Sequence, residues 1–262
     1  MTRQARLARL VDLVVENGSI HVDEVVEKLG ISPATARRDL DSLAEQQLVI
    51  RTRGGARSNP STGEVPLRQR GARQWREKGR IAARAIELVR PGDVVGFNGG
   101  TTTTATAHEL GIRVSAEPDF ENSPVTVVTN AVNIANDLTI RPQLRVVVTG
   151  GVARTRSFEL IGPLAALILP SLQIDLLFLG VNSIDLTTGA LCADDQDEAA
   201  INAALVQASS RVVVLADSSK LGRSAFARIG TLQSGMTVIT DDAADQNHLA
   251  ALRERGVEVL VA

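Results

Sequence analysis

Cysteine, aromatic residues and long apolar runs are scarce in this chain, and each shortage excludes something. The 262 residues contain one cysteine, one tryptophan, five phenylalanines and no tyrosine. A single thiol, Cys192, offers neither a disulfide nor a metal cluster, and suits a reducing, cytoplasmic setting. With 2% aromatic against 44% hydrophobic residues, the core has to be packed from aliphatic side chains. No stretch reads as a bilayer span, and the opening MTRQARLARLVDLVVENG breaks its apolar residues with charges where a signal peptide needs none. The three histidines, His21, His108 and His248, are scattered. No metal-ligand spacing and no Ser-His-Asp arrangement is visible, so neither a metal nor a cofactor is expected. The net charge of -2 conceals an uneven distribution. A basic stretch runs from Arg68 to Arg90, and an acidic one from Asp194 to Glu198.

What is present centres on residues 32–55. Ser32 is a natural N-cap, and Pro33 sits where a first helical residue has no use for its N–H. Ala36, Leu40, Leu43 and Gln47 follow at helical spacing, which leaves Thr35, Arg37 and Arg38 off the buried stripe near the helix start. Leu48, Val49 and Ile50 then read as a strand that runs through Arg51 into a basic turn, Arg53-Gly54-Gly55. A helix start bearing arginines suits the major groove, and a basic hairpin suits the phosphate backbone. The ordinary reading of an arginine pair is a solvated helix face, and Arg37 could also pair with Asp41 one turn on. The preceding helices favour DNA. Leu7, Leu10, Val11, Val14 and Val15 form one helical face that stops at Asn17-Gly18. Val22, Val25, Val26 and Leu29 form a second that ends at Gly30. Three helices, the last two joined by a tight glycine turn, make a helix-turn-helix, and two strands with their turn make it winged.

Residues 57–75 mix Pro, Gly, Ser and Arg without apolar periodicity and read as a linker. Beyond it, helices are expected at 76–89, 102–110, 131–138, 162–169 and 195–209. Strands are expected at 93–97, 125–129, 144–149, 174–180, 211–216, 237–240 and 257–261. Aliphatic strands alternating with amphipathic helices indicate a mainly parallel sheet covered on both faces, in which ligands bind at the carboxyl ends of the strands. Polar residues collect there: Asn98-Gly99-Gly100-Thr101-Thr102, Thr129-Asn130, Gly150-Gly151, Gly180-Val181-Asn182 and Asp217-Ser218-Ser219-Lys220. Glycines at a helix start permit close backbone approach, free N–H groups suit a phosphate, and Lys220 adds a cation. A capped helix with a glycine turn is the structural alternative for the first group.

ISPATARRDL, LAEQQLVIRTRGGA and EKGRIAARAIELVRPGDVV together resemble the DeoR-type bacterial transcriptional repressors over nearly the whole chain. The resemblance implies a winged helix-turn-helix followed by a sensor domain similar to ribose-5-phosphate isomerase, responsive to phosphorylated sugars or related metabolites. The matching pieces are Gly100-Thr101-Thr102, Thr129-Asn130, Gly150-Gly151 and Asp217-Ser218-Ser219-Lys220. The chain departs from the family pattern at Ala36, where a larger aliphatic residue is usual. It departs again at Asn98, in place of the aspartate of Asp-x-Gly-Thr-Thr, at Gly180-Val181-Asn182 and at Asn202, where a lysine is common.

The expected organisation is therefore an α/β protein with a DNA-binding domain at 1–57, a linker at 58–75 and an effector-sensing, oligomerising domain at 76–262. Ser32, Pro33, Thr35, Arg37, Arg38, Arg51 and Arg53 are expected to serve DNA. Asn98, Gly99, Gly100, Thr101, Thr102, Thr129, Asn130, Gly151, Asn182, Asp217 and Lys220 are expected to serve the effector. The expected partners are an operator duplex, a phosphorylated sugar or related metabolite and further copies of the chain as a dimer or tetramer. The expected location is the bacterial cytoplasm, on the nucleoid when DNA is bound. Two competing readings are an isomerase-like enzyme with an accessory DNA-binding domain and a DNA binder without ligand response. An isomerase needs a poised carboxylate base. Asn98 and Asn182 remove two carboxylates from the expected site, leaving Asp185 and Glu198, and an enzyme is not expected.

Overall fold

The computed structural model describes residues 6–7, 9–10, 13–14, 17–45, 49–58 and 74–262. The chain divides into two compact units, Met1–Arg73 and Gln74–Ala262. Val11, Val15, Gln47, Leu48 and most of the 58–75 linker lie outside the described residues.

In the first unit the described residues between 6 and 17 are helical. They are followed by β1 (Ser19–His21), α1 (Val22–Leu29), α2 (Pro33–Glu45), β2 (Val49–Arg51) and β3 (Gly55–Ser58). Ser32 caps α2, its Oγ accepting from Thr35 N at 3.2 Å, as a serine just before a proline-led helix should. Leu10, Leu13, Val14, Val25, Ala36, Leu40, Leu43 and Val49 share one core. Asp39, next to the two arginines, turns inward instead of out. It is 3% exposed and accepts from Arg6 Nε at 2.6 Å, tying the first helical segment to α2. The wing has three strands in the order β1-β3-β2, not two. Ser19, Ile20 and His21 pair antiparallel with Arg57, Ala56 and Gly55. Three residues wedged between helices are too short to show a strand's alternation. The close approach needs glycine, since a Cβ at Gly55 would lie 1.9 Å from Ile20 O.

The second unit opens with α3 (Trp75–Ile86), β4 (Val94–Phe97), α4 (Thr101–Ala116), α5 (Asp119–Asn122), β5 (Val125–Thr129), α6 (Val132–Leu138) and β6 (Leu144–Val148). A hairpin, β7 (Val152–Arg154) and β8 (Glu159–Ile161), leads to α7 (Pro163–Ala166) and β9 (Ile174–Gly180). Then come β10 (Ser183–Asp185), β11 (Ala190–Ala193), α8 (Gln196–Gln207), β12 (Ser209–Leu215), β13 (Ala227–Thr231), β14 (Thr237–Thr240), α9 (Gln246–Glu254) and β15 (Glu258–Val261). Seven strands form one sheet in the order β15-β14-β12-β9-β4-β5-β6. Every neighbouring pair in it is parallel. The alternation in β9 shows the double cover. Leu176 and Phe178 pack with Ile81, Phe97, Leu110 and Ile134 on one face. Leu177 and Leu179 pack with Ile201, Leu205, Leu249 and Leu252 on the other.

The expected helix at 162–169 is cut short. It stops at Ala166, and a single 3-10 turn follows at Leu169–Ser171, because Pro170 has no N–H to continue it. The expected helix 102–110 instead runs on to Ala116. The hairpin β7–β8, the three-stranded antiparallel sheet β10-β11-β13 and α5 were not legible as elements, all being three to five residues long.

Phe97 and Phe178, fully buried, meet with ring centroids 5.3 Å apart and pin the central strands β4 and β9 together. Phe178→Ala is expected to destabilise the chain by about 3–5 kcal/mol through the cavity left behind. A urea titration followed by circular dichroism checks it, and a loss below about 1 kcal/mol would show that the aromatic pair is not a keystone of the sheet.

Candidate DNA interface and ligand edge

At the start of α2 the cap orders the first turn, and the burial of Ala36, Asp39 and Leu40 rotates the remaining residues outward. Pro33, Arg37 and Arg38 are exposed, as is Ser32, while Thr35 is half-buried. Neither the Arg37 nor the Arg38 side chain has an ion pair or hydrogen bond among the described residues. The alternative partner for Arg37 is taken, because Asp41 accepts from Arg51 Nε at 2.7 Å. That same contact gives Arg51, expected to serve DNA, a partner within the protein. Its guanidinium also donates to Gly55 O, so it braces the wing against α2. Arg53, at the turn, is exposed and without a partner among the described residues. Two cations at a helix start and one at a wing tip can meet a duplex without first breaking a contact.

In the second unit, parallel pairing carries the carboxyl ends of all seven strands to one edge. Along it, Asp217 and Lys220 follow β12, Asn182 follows β9, Asn98 to Thr102 follow β4, Thr129 and Asn130 close β5, and Gly150-Gly151 follow β6. The 16-residue helix α4 starts there without a side-chain cap. The backbone N–H groups of Thr101, Thr102 and Thr103 have no acceptor among the described residues. Three unsatisfied donors at the positive end of a long helix suit an anion. Gly100, the N-cap, has φ 149 and ψ 162, a conformation that side chains avoid. Lys220 is half-exposed and has no ion pair among the described residues.

Several residues expected to face an effector turn out to hold the edge together. Asn98 is fully buried. Its Nδ2 donates to Gly180 O at 2.9 Å and its Oδ1 accepts from Gly180 N at 2.7 Å, so it clasps β4 to β9. Asp217, 1% exposed, is a local cap that accepts from Ser219 N at 3.2 Å and from the Ser219 hydroxyl. Asn182 donates to Asp194. Thr129 Oγ1 accepts from Ala131 N at 3.0 Å. Gly151 makes room for α7, since a Cβ there would lie 2.8 Å from Ala165 Cβ. Thr102 is buried and Thr101 half-buried.

Glycine at 99 serves a residue that sequence reasoning passed over. A Cβ there would lie 2.2 Å from Glu159 Cγ, and Gly99 N donates to Glu159 Oε1 at 3.0 Å. Asn130 Nδ2 approaches the same oxygen at 3.4 Å and Leu160 O at 3.3 Å. Glu159 is fully buried, and burial pushes its carboxyl above the ordinary glutamate range,. Its neighbour Glu198, on α8, is 6% exposed. Glu198 Oε2 and Asp195 Oδ2 each lie 3.4 Å from Arg154. The acidic stretch is thus a helix start, Asp195 also capping α8 by accepting from Asp197 N and Glu198 N at 3.0 Å. A glutamate opening the three-residue strand β8 carries no pattern that would mark it as buried.

Among the described residues there is no group of histidines, cysteines and acids able to hold a metal ion, and no helix is long and apolar enough to cross a membrane. The description "DeoR-like helix-turn-helix domain" matches residues 6–62, and "DeoR C terminal sensor domain" matches residues 73–242. The chain is 33% identical over 241 residues to the glycerol-3-phosphate regulon repressor of Escherichia coli (strain K12), covering 92% of each. It is 34% identical over 256 residues to the HTH-type transcriptional regulator GlpR of Haloferax volcanii, covering 97% of this chain and 96% of that one. Among solved structures, ribose 5-phosphate isomerase A from Methanocaldococcus jannaschii overlaps 55% of this chain and 52% of its own, at 22% identity and a TM-score of 0.40.

The three wing and helix arginines should separate in a binding experiment. Arg38→Ala is expected to cost about 1–3 kcal/mol on a specific duplex and little on a random one. Arg53→Ala should weaken both alike and lower the salt slope by about one unit. Arg51→Ala should instead loosen the wing, read as faster amide exchange in β2 and β3. Anisotropy titrations at several salt concentrations make the distinction, and an unchanged specific affinity in a folded Arg37/Arg38 double variant would remove α2 as the reading helix.

Proposed function

The chain belongs to the DeoR family of transcriptional regulators, and on that premise we propose that it represses carbohydrate-metabolism genes until a phosphorylated sugar or polyol binds its sheet edge. The relatives are named regulators and repressors, and the chain is a regulator, not an enzyme. In this reading residues 1–57 bind the operator, 58–75 link, and 76–262 sense the effector and self-associate. Ser32, Pro33 and Thr35 seat the start of α2 against the backbone, Arg37 and Arg38 read base edges, and Arg53 holds phosphate. A dimer or tetramer matches paired operator half-sites. The protein then works in the bacterial cytoplasm, on the nucleoid while DNA is bound.

The observation that carries the effector reading is the uncapped start of α4 with Lys220, which has no ion pair among the described residues, on the same edge. Strands β4 and β12 flank β9, so their ends lie about 10 Å apart, a gap that a lysine side chain and a phosphate fill between them. The ligand's phosphate takes the N–H groups of Thr101 to Thr103 and the Lys220 ammonium. The buried Asn98, Asn130 and Asp217 hold that geometry from behind. The name of the Escherichia coli relative makes glycerol 3-phosphate the first ligand to try, beside phosphosugars.

Lys220→Ala removes a charge-assisted contact of about 1.5–3 kcal/mol and is expected to weaken effector binding by roughly ten- to a hundredfold, leaving DNA affinity intact. Duplex from upstream of the protein's own gene, titrated with glycerol 3-phosphate, phosphosugars and their dephosphorylated forms, tests it. Equal response to both forms would sink the phosphate site, and no response to any would favour a DNA binder that has lost its ligand.

A further inference from the structure

Glu159 stands where a carboxylate should be least welcome. It is fully buried at the start of α4, next to the N–H groups that the proposed effector phosphate would use. One oxygen is accounted for, because Oε1 accepts from Gly99 N at 3.0 Å and from Asn130 Nδ2 at 3.4 Å. The other, Oε2, is buried without a hydrogen-bond partner within reach among the described residues, and the Ser157 hydroxyl, buried and likewise unpartnered, is the nearby donor. The Glu198 carboxyl reaches Glu159 from α8.

The charges around it can be counted element by element. The adjacent strand β7 supplies Arg154, and α8 supplies Glu198 and Asp195. The start of α4, the Asn130-Ala131 turn and α7 bring no titratable side chain. Two carboxyls, Glu198 and Asp195, share the Arg154 guanidinium at 3.4 Å each, while Glu159 has no ion pair among the described residues, and the turn before β8 adds the half-buried Arg156. A fully buried carboxyl with no cation on it, whose second oxygen meets only a hydroxyl and a second carboxyl, fits an acid pair that keeps one proton between its members,.

We propose that Glu159 and Glu198 share a single proton at the floor of the effector site, and that anion binding at the start of α4 depends on that proton. The proposal rests on the effector reading above. With the proton in place, Glu159 is neutral: Oε1 still accepts from Gly99 N, which positions the phosphate loop, and the O–H points to Glu198. Without it, two adjacent negative charges oppose an incoming dianion and each other. Burial raises the Glu159 pKa, which favours the protonated pair. The sign follows: an anion binds the protonated form, so affinity is full below the pair's pKa in the free protein and falls as pH rises through it. One coupled proton gives up to a tenfold loss per pH unit. Glu159 and Glu198 act on the ligand as positioning residues.

The test uses the full chain and sulfate, whose charge is fixed between about pH 5 and about pH 9, with glycerol 3-phosphate in parallel. Isothermal titration across that range is expected to show sulfate affinity falling with pH in the wild type. Glu159→Gln keeps an acceptor for Gly99 N and donates permanently to Glu198, so it should bind with a flat profile at about the wild type's low-pH affinity. Glu198→Gln should flatten the profile too and serves if the first variant does not fold. Infrared difference spectra should show a protonated carboxyl band in the wild type that both variants lose. A flat wild-type profile, or no such band, would overturn the shared proton and leave the effector site standing. If neither anion binds the wild type at any pH, the effector site and the proton coupling fall together.

Discussion

The bond from Gly99 N to Glu159 Oε1, 3.0 Å long, occupies space that no side chain at 99 could share. Around it the ligand edge is assembled. It draws β8 over the start of α4, and through Asn130 it reaches the end of β5. It also sets the start of α4, where the N–H groups of Thr101 to Thr103 stay open at the sheet edge while that of Gly99 is consumed within the protein. An edge with all its donors satisfied internally would be rigid but inert. One with none satisfied would leave polar groups buried at a cost of a few kcal/mol each. Here one donor fixes the loop, and those of Thr101 to Thr103 have no acceptor among the described residues.

The DNA-binding unit divides its charges in the same way. In Arg37-Arg38-Asp39-Leu40, two residues face out and two face in, as the 100° step of a helix requires. Asp39 meets Arg6, which fixes α2 to the first helical segment. Asp41 meets Arg51, which fixes it to the wing. Two arginines are spent on geometry so that Arg37, Arg38 and Arg53 can remain available.

Much of this was readable in the chain beforehand, for a definite reason. Where an element is long enough to repeat, as in Ala36-Leu40-Leu43 or the apolar run 174–180, burial imprints a period on the residues. Ser32-Pro33 marked a helix start through its backbone chemistry alone. Elements of three residues carry no period, which is why β1, the β7–β8 hairpin and the β10-β11-β13 sheet were missed. That the polar segments meet at one sheet edge followed from topology, since parallel strands must end together. The hydrogen bonds of its residues were not legible, because a buried polar group is defined by partners distant in sequence. Asn98 finds Gly180 and Glu159 finds Gly99, 82 and 60 residues away, and neither pairing leaves a local trace. Arg51 and Arg53 are indistinguishable as letters and differ only in what lies beside them.

The side chain of Asn98 has one further consequence. The last paired residues of β4 and β9 are Phe97 and Phe178, and beyond them the strands would ordinarily separate. Asn98 offers Gly180 both an N–H and a C=O, the same two groups that a peptide unit would present. Its amide therefore works as a surrogate peptide, adding a rung to the ladder after the backbone has turned away into the α4 loop. A carboxylate in this position could accept from Gly180 N, but it would set oxygen against oxygen at Gly180 O. It would be expelled towards the crevice, where it could meet a ligand's hydroxyls. A single atom, nitrogen in place of oxygen, thus separates a stitched strand end from one with a free acidic arm, and this chain carries the stitch.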